Sequence, residues 1–261
     1  GILYAINELQ RDKCTNQWVS ELMLPPGKYS LITVSNRTAM SLISDNGSAP
    51  QVKKTRREDL LLTLKNQTYS DNYFENCGRL FHTYRTFSIE EGYTTYVRAD
   101  MVHSHCVIKF TIQWKGTPPP NAGIYYVQMK DVPSEYNLMP QYIYTEPGVA
   151  CKEHNCDTDD RYDRDCRDVI HHIAQVHNNR NIATHRREVQ RTANDIHGET
   201  VTYRLREAGQ TMFGLYTADG ARVMKDIHIS DFLNQMNVDL DYTLRQEYEI
   251  IFEIDGNGMV S

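Results

Sequence analysis

From Cys106 to Trp114 the side chains alternate without a break. Cys106, Ile108, Phe110, Ile112 and Trp114 fall on one face of an extended chain, and Val107, Lys109, Thr111 and Gln113 fall on the other. Successive side chains of a strand point to opposite faces, so a one-sided apolar row of period two predicts a half-buried antiparallel strand. A second such row closes the chain, where Tyr248, Ile250, Phe252 and Ile254 alternate with Glu249, Ile251 and Glu253. Chains patterned this way bury one sheet face against another, which constrains the fold to an all-β class.

The remaining segments extend that reading. Leu3–Leu9 reads as a first strand. Pro25, Pro26 and Gly27 set a turn into the β-branched strand Tyr29–Ser35. Residues 37–54 are rich in Ser, Asn and Gly and read as loop, and LLLTLKN after them reads as a short helix or a loop-packed segment. Thr86–Glu90 alternates, Tyr93–Arg98 reads as another strand, and Ile124–Met129 is expected to return beside Cys106–Trp114 after the turn GTPPPNAG. Residues 150–200 break the pattern with Asp, His and Arg, and Cys166, Val169, Ile170, Ile173 and Val176 predict an amphipathic helix over 162–177. Strands resume at Thr200–Leu205 and Thr211–Tyr216, with a turn at Ala218-Asp219-Gly220. Ser230 is the expected N-cap of a helix over Asp231–Met236. The expectation is all-β with minor helices. Two β-sandwich domains divide near residue 145: 1–145, then 146–261 with a helical or irregular insertion near 150–200.

Composition narrows the function. The 261 residues carry 28 Lys and Arg against 34 Asp and Glu, a net charge of −6 that speaks against a nucleic-acid binder. Tyr outnumbers Phe, 17 to 7, which suits half-exposed sheet faces and surfaces that meet partners. No apolar run reaches the roughly 18–20 residues that span a bilayer. The opening GILYAINELQRDK lacks a signal-like apolar core and reads as the start of a processed or engineered fragment. Six cysteines (Cys14, Cys77, Cys106, Cys151, Cys156, Cys166) are too few for a disulfide scaffold, and Cys106 on its strand favours a buried free thiol.

Candidate chemistry gathers only in CKEHNCDTDDRYDRDC…HH. Cys151 and Cys156 are separated by four residues, Cys166 stands alone, and adjacent His171 and His172 diverge by about 100° on a helix, so plain cysteines outweigh both a zinc site and a Cys151–Cys156 disulfide. The acidic run Asp157, Asp159, Asp160, Asp163 and Asp165 fails the EF-hand template, with Arg161 at its fifth position and Tyr162 where Gly is needed. There is no nucleophile elbow and no phosphate loop; Asp255-Gly-Asn-Gly258 reads as a turn. The basic run Lys53–Arg57 reads as a solvated loop. No catalytic, cofactor-binding or metal residue is assigned, and an enzyme is not expected.

Three stretches resemble a known family. LYAINEL followed by LMLPPGKYSLITVSN is similar to its L-P-P-G-x-Y strand. GRLFHTYRTFSIEEG…TTYVRADMVHSHCVIKFTIQ resembles a later pair of strands, and VTYRLREAGQTMFGLYTADGARVMKDIHISDF…LDYTLRQEYEIIFEI resembles its closing strand–helix–strand block. The family is that of FimB/Mfa-type fimbrial anchor and accessory subunits of Bacteroidales bacteria. His82 and Thr83 depart from it, standing where Tyr and Gly are common. The resemblance implies two tandem transthyretin-like β-sandwiches. It implies a non-enzymatic surface lipoprotein of the fimbria, held in the outer membrane through an upstream lipidated Cys. Other fimbrial subunits are its implied partners, joined by β-strand complementation. A tip adhesin that binds a host protein or glycan is the alternative.

Overall fold

The computed structural model describes residues 1–7, 10–11, 18–38, 41–45, 48–64, 73–74, 76–116, 124–138, 182–192, 195–241 and 243–260. Its strands, in chain order, begin with β1 (Gln10–Arg11), β2 (Trp18–Val19), β3 (Gly27–Ser35), β4 (Ser41–Asp45), β5 (Leu60–Leu64), β6 (Tyr73–Phe74) and β7 (Phe81–Ile89). They continue with β8 (Val102–His103), β9 (His105–Trp114), β10 (Ile124–Pro133), β11 (Glu135–Asn137), β12 (Ile182–Thr192) and β13 (Asp195–Tyr203). β14 (Met212–Thr217), β15 (Ile227–His228), the helix α1 (Ile229–Gln235) and β16 (Gln246–Ile254) complete the chain.

The largest sheet runs β15-β14-β10-β12-β13-β9-β16, with β6 beside β12. Its β12–β13 ladder is short, only Arg191↔Ile196 and Thr192↔Asp195. On either side of this corner, strands that are not neighbours in the ladder touch ring to ring. Phe110 of β9 and Phe252 of β16 lie 5.3 and 5.0 Å from Phe213 of β14, and Trp114 lies 6.1 Å from Tyr125 of β10. Such contacts require the two halves to face each other as a sandwich. Phe213 and Phe252 are fully buried, each contributing about 1.5–3 kcal/mol relative to exposure.

Two three-stranded sheets, β3-β7-β8 and β11-β5-β4, stand apart from that sheet's ladder. His82 of β7 meets Tyr136 of β11 at 5.2 Å, so they too face each other. Leu62, Leu80 and Leu138 are fully buried and join a core continuous with that of the large sheet. The chain thus folds all-β, as its alternation requires. β9 and β10 ladder with strands from beyond residue 145, while β11 returns to β5.

Several expectations are corrected. Ile124–Met129 pairs β12 and β14 rather than Cys106–Trp114, because both flanks of β9 are occupied: β13 runs antiparallel on one side and β16 parallel on the other. Residues 37–54 contain β4, and LLLTL is a strand. A continuous apolar run buried between two strands gives the same period signal as a buried helix, which is why pattern alone misreads it. Tyr93–Arg98 forms no strand, and Tyr93 and Tyr96 are 75% and 92% exposed. Among residues 3–7 there is no ladder, only contacts such as Leu3 N–H to Thr55 O at 2.8 Å; residues 8–9 lie outside the described residues. β12 and β13 begin well before Thr200. The helix N-cap is His228, whose Nδ1 accepts from Asp231 N–H at 3.2 Å, because Ser230 is buried and donates to Arg206 O. The expected helix over 162–177 and the Cys151–His172 cluster lie outside the described residues.

Candidate functional site

Where β8 passes into β9, the chain leaves the small sheets for the large one through Ser104, and the crossing is polar and buried. Ser104 N–H donates to Leu80 O at 3.0 Å, Arg204 N–H donates to Ser104 O at 3.3 Å, and His82 Nδ1 lies 2.8 Å from Ser104 Oγ. Ser41 Oγ donates to Cys77 O at 2.8 Å, and Asn76 Oδ1 accepts from Val201 N–H at 3.0 Å. Buried polar groups left unpaired cost about 1–3 kcal/mol each, so this network fixes how the sheets meet.

Three ligating side chains converge beside it. Residues two apart on extended chain share a face, which places His103 next to His105, while the parallel β9–β16 ladder sets Glu247 against Val107. His103 Nδ1 lies 3.4 Å from His105 Nε2, and Glu247 Oε1 lies 4.0 and 3.9 Å from those two atoms. His105 Nδ1 is 2.6 Å from Leu80 O. A carbonyl only accepts, so Nδ1 carries the proton and Nε2 turns a bare lone pair toward the cluster. Burial lowers both histidine pKa values below the usual range, against the pull of Glu247. The other carboxylate oxygen, Oε2, is held by Arg245 at 2.5 Å, which keeps Glu247 ionised to lower pH. Among the described residues this is the one group of three that could hold a metal ion. Glu247 lies more than a hundred positions from the two histidines, and only the short pattern His-Ser-His at 103–105 could have signalled the group in the sequence.

Other candidates resolve into structure. Within Lys53–Arg57, Thr55 is buried and donates to Asp45 Oδ2 at 2.7 Å, and Arg57 donates to Tyr84 Oη at 2.9 Å, so the run is stitched down at two of its five positions. Lys130 sits between Tyr216 and Asp226 as a clamp from β10 across β14. Cys106 is a buried free thiol as expected, as is Cys77, and burial raises both thiol pKa values.

Two of the long strands pair on one side only among the described residues. Among the described residues β16 ladders only with β9, and β3 only with β7. The far end of β16 is closed by the Asp255–Met259 turn, which bridges Ile254 to Val260. Along β16, Glu249 and Ile251 face solvent. Just ahead of β3 in the chain, Leu22 and Met23 are exposed apolar side chains, as are Ile2 and Ile6 near the start.

The profile of one protein family, the fimbrillin-A associated anchor proteins Mfa1 and Mfa2, matches residues 6–261. The chain belongs to this family. As a member it is a fimbria-associated accessory subunit. No curated protein matches its sequence. Among solved structures it resembles the fimbrial anchor protein Mfa2 of Porphyromonas gingivalis, at TM-score 0.54 and 10% identity over 88% of this chain and 69% of that one. A candidate polysaccharide-binding protein of Bacteroides thetaiotaomicron matches at TM-score 0.61 and 14% identity over 94% and 76%. A candidate adhesin of Bacteroides ovatus matches at 0.58 and 12% over 91% and 71%. At such identities these likenesses speak to the fold alone, and they agree with the β-sandwich reading.

Proposed function

We propose that the chain is a non-enzymatic anchor or accessory lipoprotein of a fimbria, exported to the outer membrane and joined to pilins by β-strand complementation. Family membership carries this reading. Among the described residues β3 and β16 each have a single ladder partner, which supports this mechanism, because an added strand pairs its main chain along such an edge while alternate side chains enter pockets. The exposed apolar residues just ahead of β3 favour that edge as the acceptor. The division into two tandem sandwiches belongs to the same reading. To test the role, the gene with its native upstream region is expressed in a fimbriated host, with lipid labelling and recovery of fimbriae. A labelled protein that co-purifies with pilin polymer is expected; a soluble, unlipidated product that never associates with pilins overturns the proposal.

A tip adhesin is the second reading, favoured by Tyr93 and Tyr96, which stand 75% and 92% exposed between β7 and β8. Aromatic faces of this kind suit glycan stacking. Saturable glycan binding that is lost in Tyr93→Ala and Tyr96→Ala would favour it; a blank array removes it.

A further inference from the structure

We propose that His103, His105 and Glu247 form a site for a divalent transition-metal cation, Zn2+ by the nature of its ligands, which pins β16 to the junction between the small and large sheets. The ligand atoms are His103 Nδ1, His105 Nε2 and Glu247 Oε1. In a tetrahedral zinc site with bonds of about 2.0–2.1 Å, neighbouring ligand atoms lie roughly 3.3–3.4 Å apart. The separations here are 3.4, 3.9 and 4.0 Å, so side-chain rotations of a few tenths of an ångström close the site.

Four further features suit a metal rather than a chance cluster. His105 is fully buried, and its Nδ1–H is held by Leu80 O, the outer hydrogen bond that fixes the tautomer of metal-bound histidines. Glu247 divides its oxygens, giving Oε2 to Arg245 and leaving Oε1 for the imidazoles. His103 and Glu247 keep 23% and 22% of their side-chain surface, so the fourth position opens to water. Phe81 packs edge-on against both imidazoles, at 4.8 and 5.3 Å. The guanidinium groups of Arg79, Arg204 and Arg245 stand close enough to oppose a dication, and the Glu247 charge offsets part of that. His103 belongs to β8, in a small sheet, whereas His105 and Glu247 belong to the large sheet. A bound ion would therefore cross-link the two sheets and hold β16 in place.

The full chain, stripped with chelator, is titrated with Co2+, whose visible absorption reports tetrahedral coordination, and with Zn2+ in a calorimeter. One equivalent is expected to bind with a tetrahedral Co2+ spectrum, and Zn2+ is expected to raise Tm. His103→Ala and Glu247→Gln, at half-buried positions, should keep the metal-free fold by circular dichroism. Each should weaken binding by at least the about 10–100-fold that loss of an outer partner costs, and abolish the Zn2+-induced rise in Tm. Absence of binding in the unmodified chain overturns the proposal. So does binding of equal affinity and stoichiometry in both variants, which would assign the ion to histidines elsewhere.

Discussion

Gly198 lies directly opposite Phe110 across the β13–β9 ladder, and the Phe110 ring fills the space that a β-carbon at residue 198 would need. The ring reaches Phe213 on the facing half of the sandwich, 5.3 Å away. A glycine inside a strand usually weakens it. Here its missing side chain is what lets the aromatic lie across the ladder and carry the core from one half to the other.

Gly198→Ala should therefore overpack the core and cost about 1–3 kcal/mol. Thermal unfolding should show Tm lowered by roughly 2–12 °C, given about 2–4 °C per kcal/mol at this chain length. Phe110→Leu in the same chain should recover part of the loss. Strict additivity of the two substitutions would show that the contact does not matter.

Gln246 opens β16 with a fully buried amide. Its Nε2 donates to Leu205 O at 2.9 Å and Leu240 O at 2.7 Å, and its Oε1 accepts from Leu205 N–H at 2.8 Å. Gln246→Leu keeps the volume and strands three backbone groups, at a cost of about 1–3 kcal/mol for each that stays unpaired. Chemical denaturation should show a lower midpoint with an unchanged slope. A midpoint equal to the parent's would mean that water replaces the amide.

Acid should destabilise the metal-free protein through His103 and His105. Burial depresses both pKa values in the folded state, so the unfolded chain binds protons first as pH falls through the ordinary histidine value near 6.5. Stability is thus full above about pH 6.5 and declines below it. Glu247 and the arginines at 79, 204 and 245 face these rings. Glu247, depressed by its bond to Arg245, adds its own loss only at more acidic pH. Tm measured in chelator should fall between neutral and mildly acidic pH, and His103→Asn should flatten that slope. A parent profile level across the range contradicts the assignment.

Cys77 and Cys106 should resist alkylation in the native state, because burial disfavours the reactive thiolate. Iodoacetamide at mildly alkaline pH, followed by peptide mass spectrometry, should leave both unmodified until denaturant is added. Modification of either in the native protein would show that the seam between the sheets opens.

Local pattern read best where one face of a strand is wet. His105–Trp114 and Gln246–Ile254 show their alternation because core and solvent impose opposite demands on neighbouring side chains. Leu60–Leu64 was ambiguous because its near-continuous burial erases the alternation. His228 took the cap from Ser230 because Arg206, distant in sequence, claims the serine hydroxyl.

The amino-acid order by itself determined that this chain is all-β, that its last strand is amphipathic, and, through three ordered motifs, which family it resembles. Pairing partners were beyond it. Hydrogen-bond ladders join backbone groups that are the same at every residue, so nothing in β9 states that β13 and β16, rather than the next strand, will flank it. The meeting of His103, His105 and Glu247 follows from that choice alone. Once β16 lies parallel to β9 in its observed register, a carboxylate far along the chain comes within 4.0 Å of two imidazoles. That proximity is a property of the packed sheets, set by burying Ile250, Phe252 and Ile254 together, and no local segment contains it.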